Sequence, residues 1–199
     1  MTTPAQRWSA RHHGIDPGDV PLLSGWLALM WRLARPLAAW RVPPTAITAL
    51  GVLLAVDAVL LAGSWPWAAA LAVLASVLCD ALDGAVAVVS DRTTGHGAAA
   101  DAIADRIADA AFAAVIWRCG APWPLAAGAA ALAWAVDLLR RVRRVPARIT
   151  VAERPSWTAC TVLAGASATV TEARWPVLVC AAVWIVLGLI GVAQVLVED

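Results

Sequence analysis

The sequence predicts an all-α polytopic membrane protein: six transmembrane helices preceded by an amphipathic helix lying in the membrane interface. Three observations lead there. The 199 residues are 61% apolar and only 15% charged, against about a quarter charged in a typical soluble domain. Mean hydropathy is +0.74, which argues against both a soluble enzyme and a disordered chain. The apolar residues also fall in runs near the roughly 20 residues a helix needs to cross a bilayer, and Pro, Gly and Arg clusters separate the runs.

Residues 1–41 read as a cytoplasmic amino-terminal segment and 42–199 as the membrane domain. The first nineteen residues are polar and contain Arg7, Arg11, Asp16 and Asp19, with no apolar stretch ending in a small-residue cleavage site. A cleaved signal peptide is therefore not expected. Val20 to Arg41 sets Trp26, Leu27, Met30, Trp31, Leu33, Leu37 and Trp40 among Arg32, Arg35 and Arg41. Trp and Arg together at moderate hydrophobicity describe an interfacial helix, which Pro36 is expected to kink and Pro43-Pro44 to end.

The spans follow at turn signals. They run from Thr45 to Ala62, Trp67 to Val89, Gly97 to Trp117, Pro122 to Leu139, Ser156 to Val170 and Trp175 to Val197. The fifth is short enough to be tilted or partly interfacial. With both termini cytoplasmic, twelve Arg lie on the cytoplasmic side, and the opposite side holds only Arg118 and Arg174. That asymmetry fixes the orientation. Cys79, Cys119, Cys160 and Cys180 are scattered singly in apolar stretches and read as small buried hydrophobes.

Polar residues inside spans stand out against this background. A carboxylate at membrane depth costs a few kcal/mol on insertion scales, so it needs a partner, a cavity or a metal. Asp80, Asp83, Asp101, Asp105 and Asp109 are five such carboxylates. Spacings of three and four place Asp80 with Asp83, and Asp101 with Asp105, each pair on one helix face. The short connection from Ser90 to His96 makes the two helices antiparallel neighbours, so four carboxylates converge near the cytoplasmic surface. Such a set must be protonated in part or bind cations. Oxygen ligands without His or Cys suit Mg²⁺ or Mn²⁺. Structural pairing with Arg92 and Arg106, or an ion relay in a small transporter, are the other readings of the same residues.

Asp80-Ala-Leu-Asp83-Gly84-Ala-Val-Ala87, followed by Gly97-Ala-Ala-Ala-Asp101-Ala-Ile-Ala-Asp105, resembles the signature of the CDP-alcohol phosphotransferase (CDP-alcohol phosphatidyltransferase) family, D-x2-D-G-x2-A-R-x8-G-x3-D-x3-D. Four aspartates, two glycines and an alanine match over 26 residues. The signature Arg falls on Val88, with Arg92 one turn further on, which leaves a catalytically degenerate member as an alternative. Pro44-Thr45-Ala46-Ile47-Thr48 is similar to the Pro-Asn-x-x-Thr that often opens span one, and Glu153-Arg154-Pro155 to an acidic-basic pair that often starts span five.

The resemblance implies metal-dependent transfer of a phosphatidyl group from a CDP-linked donor such as CDP-diacylglycerol to an acceptor alcohol, with release of CMP, in phospholipid synthesis. It assigns Asp80, Asp83, Asp101 and Asp105 to the metal, Asp105 also to general base catalysis, and Gly84, Ala87 and Gly97 to room for the cytidine. For these three small residues close helix packing is the plain alternative. Arg92, Arg140, Arg141 and Arg154 are candidates for an acceptor phosphate, while the Arg-rich segment from Arg140 to Arg154 also serves as a topology signal. Asp137 is expected to pair with Arg140 and Arg141 along its own helix. Some phosphatidylinositol-phosphate synthases of the family carry a second Arg three positions after the first, where Trp157 stands here, and this argues against an inositol-phosphate acceptor. Expected partners are the lipid donor, a small alcohol or phosphorylated alcohol, the bilayer of a bacterial cell membrane and a second copy of the chain, with no nucleic acid. The active site is expected on the cytoplasmic face.

Overall fold

The computed structural model describes residues 21–91, 95–143 and 152–197, and among them every regular element is helical. Among the described residues seven helices follow one another: α1 (Pro21–Ala39), α2 (Pro44–Leu61), α3 (Pro66–Val89), α4 (Gly95–Arg118), α5 (Trp123–Arg143), α6 (Arg154–Val170) and α7 (Trp175–Val197). Three of the described helices, α2, α3 and α7, are long and apolar enough to cross a membrane. The other expected spans miss that standard for visible reasons. Asp101, Asp105, Arg106, Asp109 and Arg118 interrupt α4, Asp137 and three Arg load the end of α5, and α6 has only 17 residues.

Local chemistry explains most helix ends. Pro44 and Pro66 each start a helix, where a missing N–H is no loss, and Pro155 sits in the first turn of α6. Helix α1 continues through Pro36 rather than stopping there. It closes one turn later: Val42 N–H donates to Leu37 O at 3.0 Å and Arg41 N–H to Ala38 O at 3.0 Å. Arg41 holds the left-handed conformation, φ 57°, that this closure demands. Helix α5 runs one turn beyond the expected Leu139, to Arg143. Arg is a good helix former, and its charge is favoured at a helix C-terminus. The last turn of α7 is met in the same way, with Arg143 Nη1 donating to Val195 O at 3.0 Å and Leu196 O at 2.7 Å.

The chain divides into two compact units, and α2, α3 and α4 each contribute to both. One contains the residues up to Gly51 together with Leu78–Ala104. Its buried apolar residues include Leu27, Met30 and Ala34, one stripe of α1, with Ile47, Val86 and Val88. The opposite side of α1 exposes Trp26, Leu29, Leu33 and Trp40, an apolar surface beside exposed Arg32 and Arg35 that suits the membrane interface.

The other unit contains Val52–Val77 and Asp105–Asp199. Its core is built from Ala55, Ala58, Val73, Phe112, Val115, Ile116, Val136, Val177 and Trp184. Small residues let its helices approach closely. Along α7, Ala181, Trp184, Gly188, Gly191 and Val195 form one buried seam at spacings of three and four. A Cβ on Gly188 would stand 2.8 Å from Leu132 Cβ on α5, and one on Gly191 would collide with Ala152 Cβ. Gly165 of α6 meets α3 likewise, with Pro66 O 2.9 Å from the position its Cβ would take.

Because the atom facing Gly191 belongs to a Cβ rather than to a flexible tip, the backbone must move to admit a side chain there. Gly191→Leu is expected to destabilise by about 1–3 kcal/mol, read as a lower Tm of the detergent-solubilised protein. An unchanged Tm would show that the seam tolerates a wider spacing.

Candidate active site

Helix geometry places the motif carboxylates. Asp80 and Asp83 lie near the end of α3, and Asp101 and Asp105 in the first half of α4. Within the first unit, Asp80 and Asp101 each bring one carboxylate oxygen within 4.8 Å of the other. Asp105 follows Asp101 by one turn of the continuous α4 helix. All three are half-buried. Oxygens bound on opposite sides of a Mg²⁺-sized ion stand roughly 4 Å apart. The Asp80–Asp101 spacing is therefore close to what such an ion requires, and oxygen donors of this kind suit a hard cation.

Asp83 has a different neighbourhood. It is 6% exposed and accepts a 2.5 Å hydrogen bond from Thr48 Oγ1 of α2. Thr48 is the last residue of the Pro44–Thr48 motif, whose role the linear pattern leaves blank. Its hydroxyl also lies 3.1 Å from Pro44 O, so the motif fixes a rotamer that reaches Asp83.

The small motif residues separate. A Cβ added to Gly84 would meet nothing within 4 Å, so close packing does not explain this glycine. Ala87 is half-buried, as is Gly97 in the first turn of α4. Val88, on the position of the signature Arg, is 6% exposed.

The second unit distributes the Arg-rich segment among specific partners. Arg154, at the start of α6, donates from Nη1 to Asp105 Oδ1, so an acceptor candidate and the base candidate are in contact. Arg140 does not pair with Asp137 as expected: its Nη2 donates to Glu153 Oε1 at 2.7 Å. Glu153 is the N-cap residue of α6 but makes no side-chain cap bond, which leaves its carboxylate turned to Arg140. Asp137 pairs with Arg141 at 2.9 Å, the expected i,i+4 contact, and lies 3.8 Å from Arg106. Arg92, Arg144 and Arg148, and the side chain of His96, lie outside the described residues.

Two side chains beside this group carry no motif signal. Asp109, one turn after Asp105, is 1% exposed and lies 3.4 Å from Arg106. Trp157 Nε1 donates to Asp109 Oδ1 at 3.2 Å. Its place in an expected span marks Asp109 as a residue in need of a partner, but nothing in its linear neighbourhood points to Trp157.

The comparisons with known proteins agree with this geometry. A family model described as CDP-alcohol phosphatidyltransferase matches residues 41–197. Two crystal structures of Mycobacterium tuberculosis phosphatidylinositol phosphate synthase share the fold. The one with CDP-DAG bound has a TM-score of 0.67 at 23% identity, covering 86% of this chain and 92% of that one. The one with manganese and citrate has a TM-score of 0.65 at 23% identity, covering 85% and 86%. No curated protein matches the chain by sequence.

The Thr48 contact yields a measurable expectation. Loss of a hydrogen bond that orients a ligand carboxylate commonly costs about 10- to 100-fold in metal affinity. Thr48→Val is expected to weaken Mn²⁺ binding to the purified protein by that order, followed by electron paramagnetic resonance of free Mn²⁺. An unchanged affinity would separate Asp83 from the metal.

Proposed function

The chain belongs to the CDP-alcohol phosphatidyltransferase family, and from that premise we propose that it transfers a phosphatidyl group from a CDP-diacylglycerol-type donor to an acceptor alcohol at the Asp80, Asp83, Asp101 and Asp105 cluster. The observation that carries the reading is the meeting of Asp80 and Asp101 carboxylate oxygens within 4.8 Å, at the spacing of the family signature. Ion relay requires neither an open Gly84 nor the family match over 41–197, so the transporter reading gives way.

Asp80, Asp83, Asp101 and Asp105 hold one or more Mg²⁺ or Mn²⁺ ions in this reading. The chemistry such an ion supplies is neutralisation and polarisation of the donor pyrophosphate. Gly84 and Ala87 leave α3 open beside it, where the cytidine is accommodated. Asp105 takes the proton of the acceptor hydroxyl as that oxygen attacks phosphorus and CMP departs. Arg154, already on Asp105, is the guanidinium best placed to read an anionic group on the acceptor. Arg140 and Arg141, held by Glu153 and Asp137, contribute by fixing the helix ends around it. Val88 removes the signature Arg without adding polar surface, since the position is buried.

The same reading sets the protein in a bacterial cell membrane with α2 to α7 as six spans. Every one of these helices exposes large apolar side chains, among them Leu53 and Leu60 on α2, Leu71 on α3, Ile103 on α4, Leu138 on α5, Leu163 on α6 and Leu189 on α7. Lipid is the solvent for which such surfaces are suited. The Arg asymmetry puts both termini and the carboxylate cluster on the cytoplasmic side, where a water-soluble acceptor arrives.

Membranes containing the protein are expected to release CMP from CDP-diacylglycerol when Mg²⁺ or Mn²⁺ is present, and to stop on chelation. Asp105→Asn should abolish release. Full activity in that variant would remove Asp105 from the role of base, and a panel of alcohols assayed by lipid product identifies the acceptor.

A further inference from the structure

Two polar contacts join α4 to α6. Arg154 donates to Asp105, and Trp157 Nε1 donates to Asp109 Oδ1 at 3.2 Å. The two carboxylates are four residues apart on α4, and the two donors are three apart on α6. Each step is one helical turn, so the contacts stack as successive rungs between the same pair of helices.

The second rung is unusual in its surroundings. Asp109 is 1% exposed, and its Oδ2 has no hydrogen-bond partner among the described residues. Arg106 stands 3.4 Å from that oxygen and also lies 3.8 Å from Asp137, so it offers Asp109 charge without a directed bond. Orientation of the carboxylate therefore comes from Trp157. That ring is itself fixed: it is 6% exposed and stacks on Trp184 of α7, centroids 6.0 Å apart and planes 8° from parallel. A position required only for packing would do better with an apolar side chain, because replacing buried charge by hydrophobic volume is commonly neutral or stabilising.

We infer that Trp157 and Asp109 are positioning residues for the transfer reaction: their buried hydrogen bond fixes the register of α6 on α4 and so aims Arg154 at Asp105. The inference rests on the reading of Asp105 as the base and Arg154 as its guanidinium neighbour. A slip of one residue moves α6 by about 1.5 Å and turns it by about 100°, enough to take Arg154 off Asp105. Displacements near 1 Å at a reacting group can lower a rate by about 100-fold.

The test uses the full chain in lipid nanodiscs. CMP release from CDP-diacylglycerol with Mg²⁺ is followed with sn-glycerol 3-phosphate, with myo-inositol 1-phosphate and with water alone, and variants are compared in the arm that wild type turns over fastest. Trp157→Phe keeps an aromatic ring facing Trp184 and loses the N–H donor together with some ring volume. It is expected to lower kcat by about 10- to 100-fold, while KM for CDP-diacylglycerol and Mn²⁺ affinity stay within about twofold. Asp109→Leu removes the same bond and also the carboxylate beside Arg106, so the double variant should fall no further than Asp109→Leu alone. Asp109→Asn, whose amide oxygen still accepts, should lose less than Asp109→Leu.

Wild-type kcat in Trp157→Phe, with or without a lower Tm, would reduce the rung to packing and overturn the inference, as would additive losses in the double variant. Trp157→Phe carries the test alone if Asp109→Leu does not fold. Asp105→Asn, run in parallel, separates the two levels. Its full activity would overturn the assignment of Asp105 and the inference with it, whereas its inactivity beside a fully active Trp157→Phe would overturn the inference alone.

Discussion

A carboxylate inside an apolar helix must be answered by a cation or a donor, and the arrangement of this protein follows from how α4 meets that demand. One helix carries Asp101, Asp105, Arg106 and Asp109 within nine residues. On insertion scales a central Asp alone costs roughly 2.5–3.5 kcal/mol, so α4 as one of the proposed spans requires partners for these charges. Asp105 receives Arg154, and Asp109 receives Arg106 and the indole of Trp157, while Asp101 lies beside Asp80. Three of these groups sit at the centre of the proposed chemistry, so the contacts that partner the charges of α4 are also those of the proposed site.

Packing elsewhere serves that arrangement. Lipid offers helices little hydrophobic drive to associate, so close contact has to come from small residues. Gly188 and Gly191 let α7 lie against Leu132, Val136 and Ala152. The same face of α7 carries Trp184, 0% exposed, and thereby supplies the flat surface on which Trp157 rests. The glycine seam and the indole stack thus belong to one continuous face. Gly84 has the opposite character, with open space where its side chain would be. Glycine is used to bring backbones together in one place and to keep a space empty in the other.

Periodicity and motif spacing made the helices and the four motif aspartates legible, because both are properties of consecutive residues. The start of α6 was legible to within two residues from Glu153-Arg154-Pro155, since Pro marks a first turn wherever it stands. Partner choice was not legible. Helix spacing predicts Asp137 with Arg140 and Arg141, and the structure keeps only Arg141. Arg140 is drawn to Glu153, thirteen residues away, across residues 144–151, whose path no linear rule fixes. Thr48 with Asp83 and Trp157 with Asp109 are likewise pairs from distant segments. A polar residue in an apolar run announces that it needs a partner, but the identity of the partner is a property of tertiary packing.

That distinction bears on the Arg-rich segment and on Val88. Counted along the chain, the arginines form one undifferentiated basic patch suited to anionic headgroups. In the structure they have separate tasks: Arg143 caps α7, Arg141 holds Asp137, Arg140 holds Glu153, and Arg154 reaches a motif carboxylate. Charge near an active site is thus a poor guide to which cation touches substrate, because most of it is committed to helix ends. Val88 makes the same point in reverse. A guanidinium on that 6% exposed position would need a buried partner of its own, and without one the penalty of an isolated buried charge is several kcal/mol. The departure from the family signature is therefore a change in how α3 packs as well as the loss of one charge. A cation beside the acceptor must come from a residue whose partner is already in place, and Arg154 on Asp105 meets that condition.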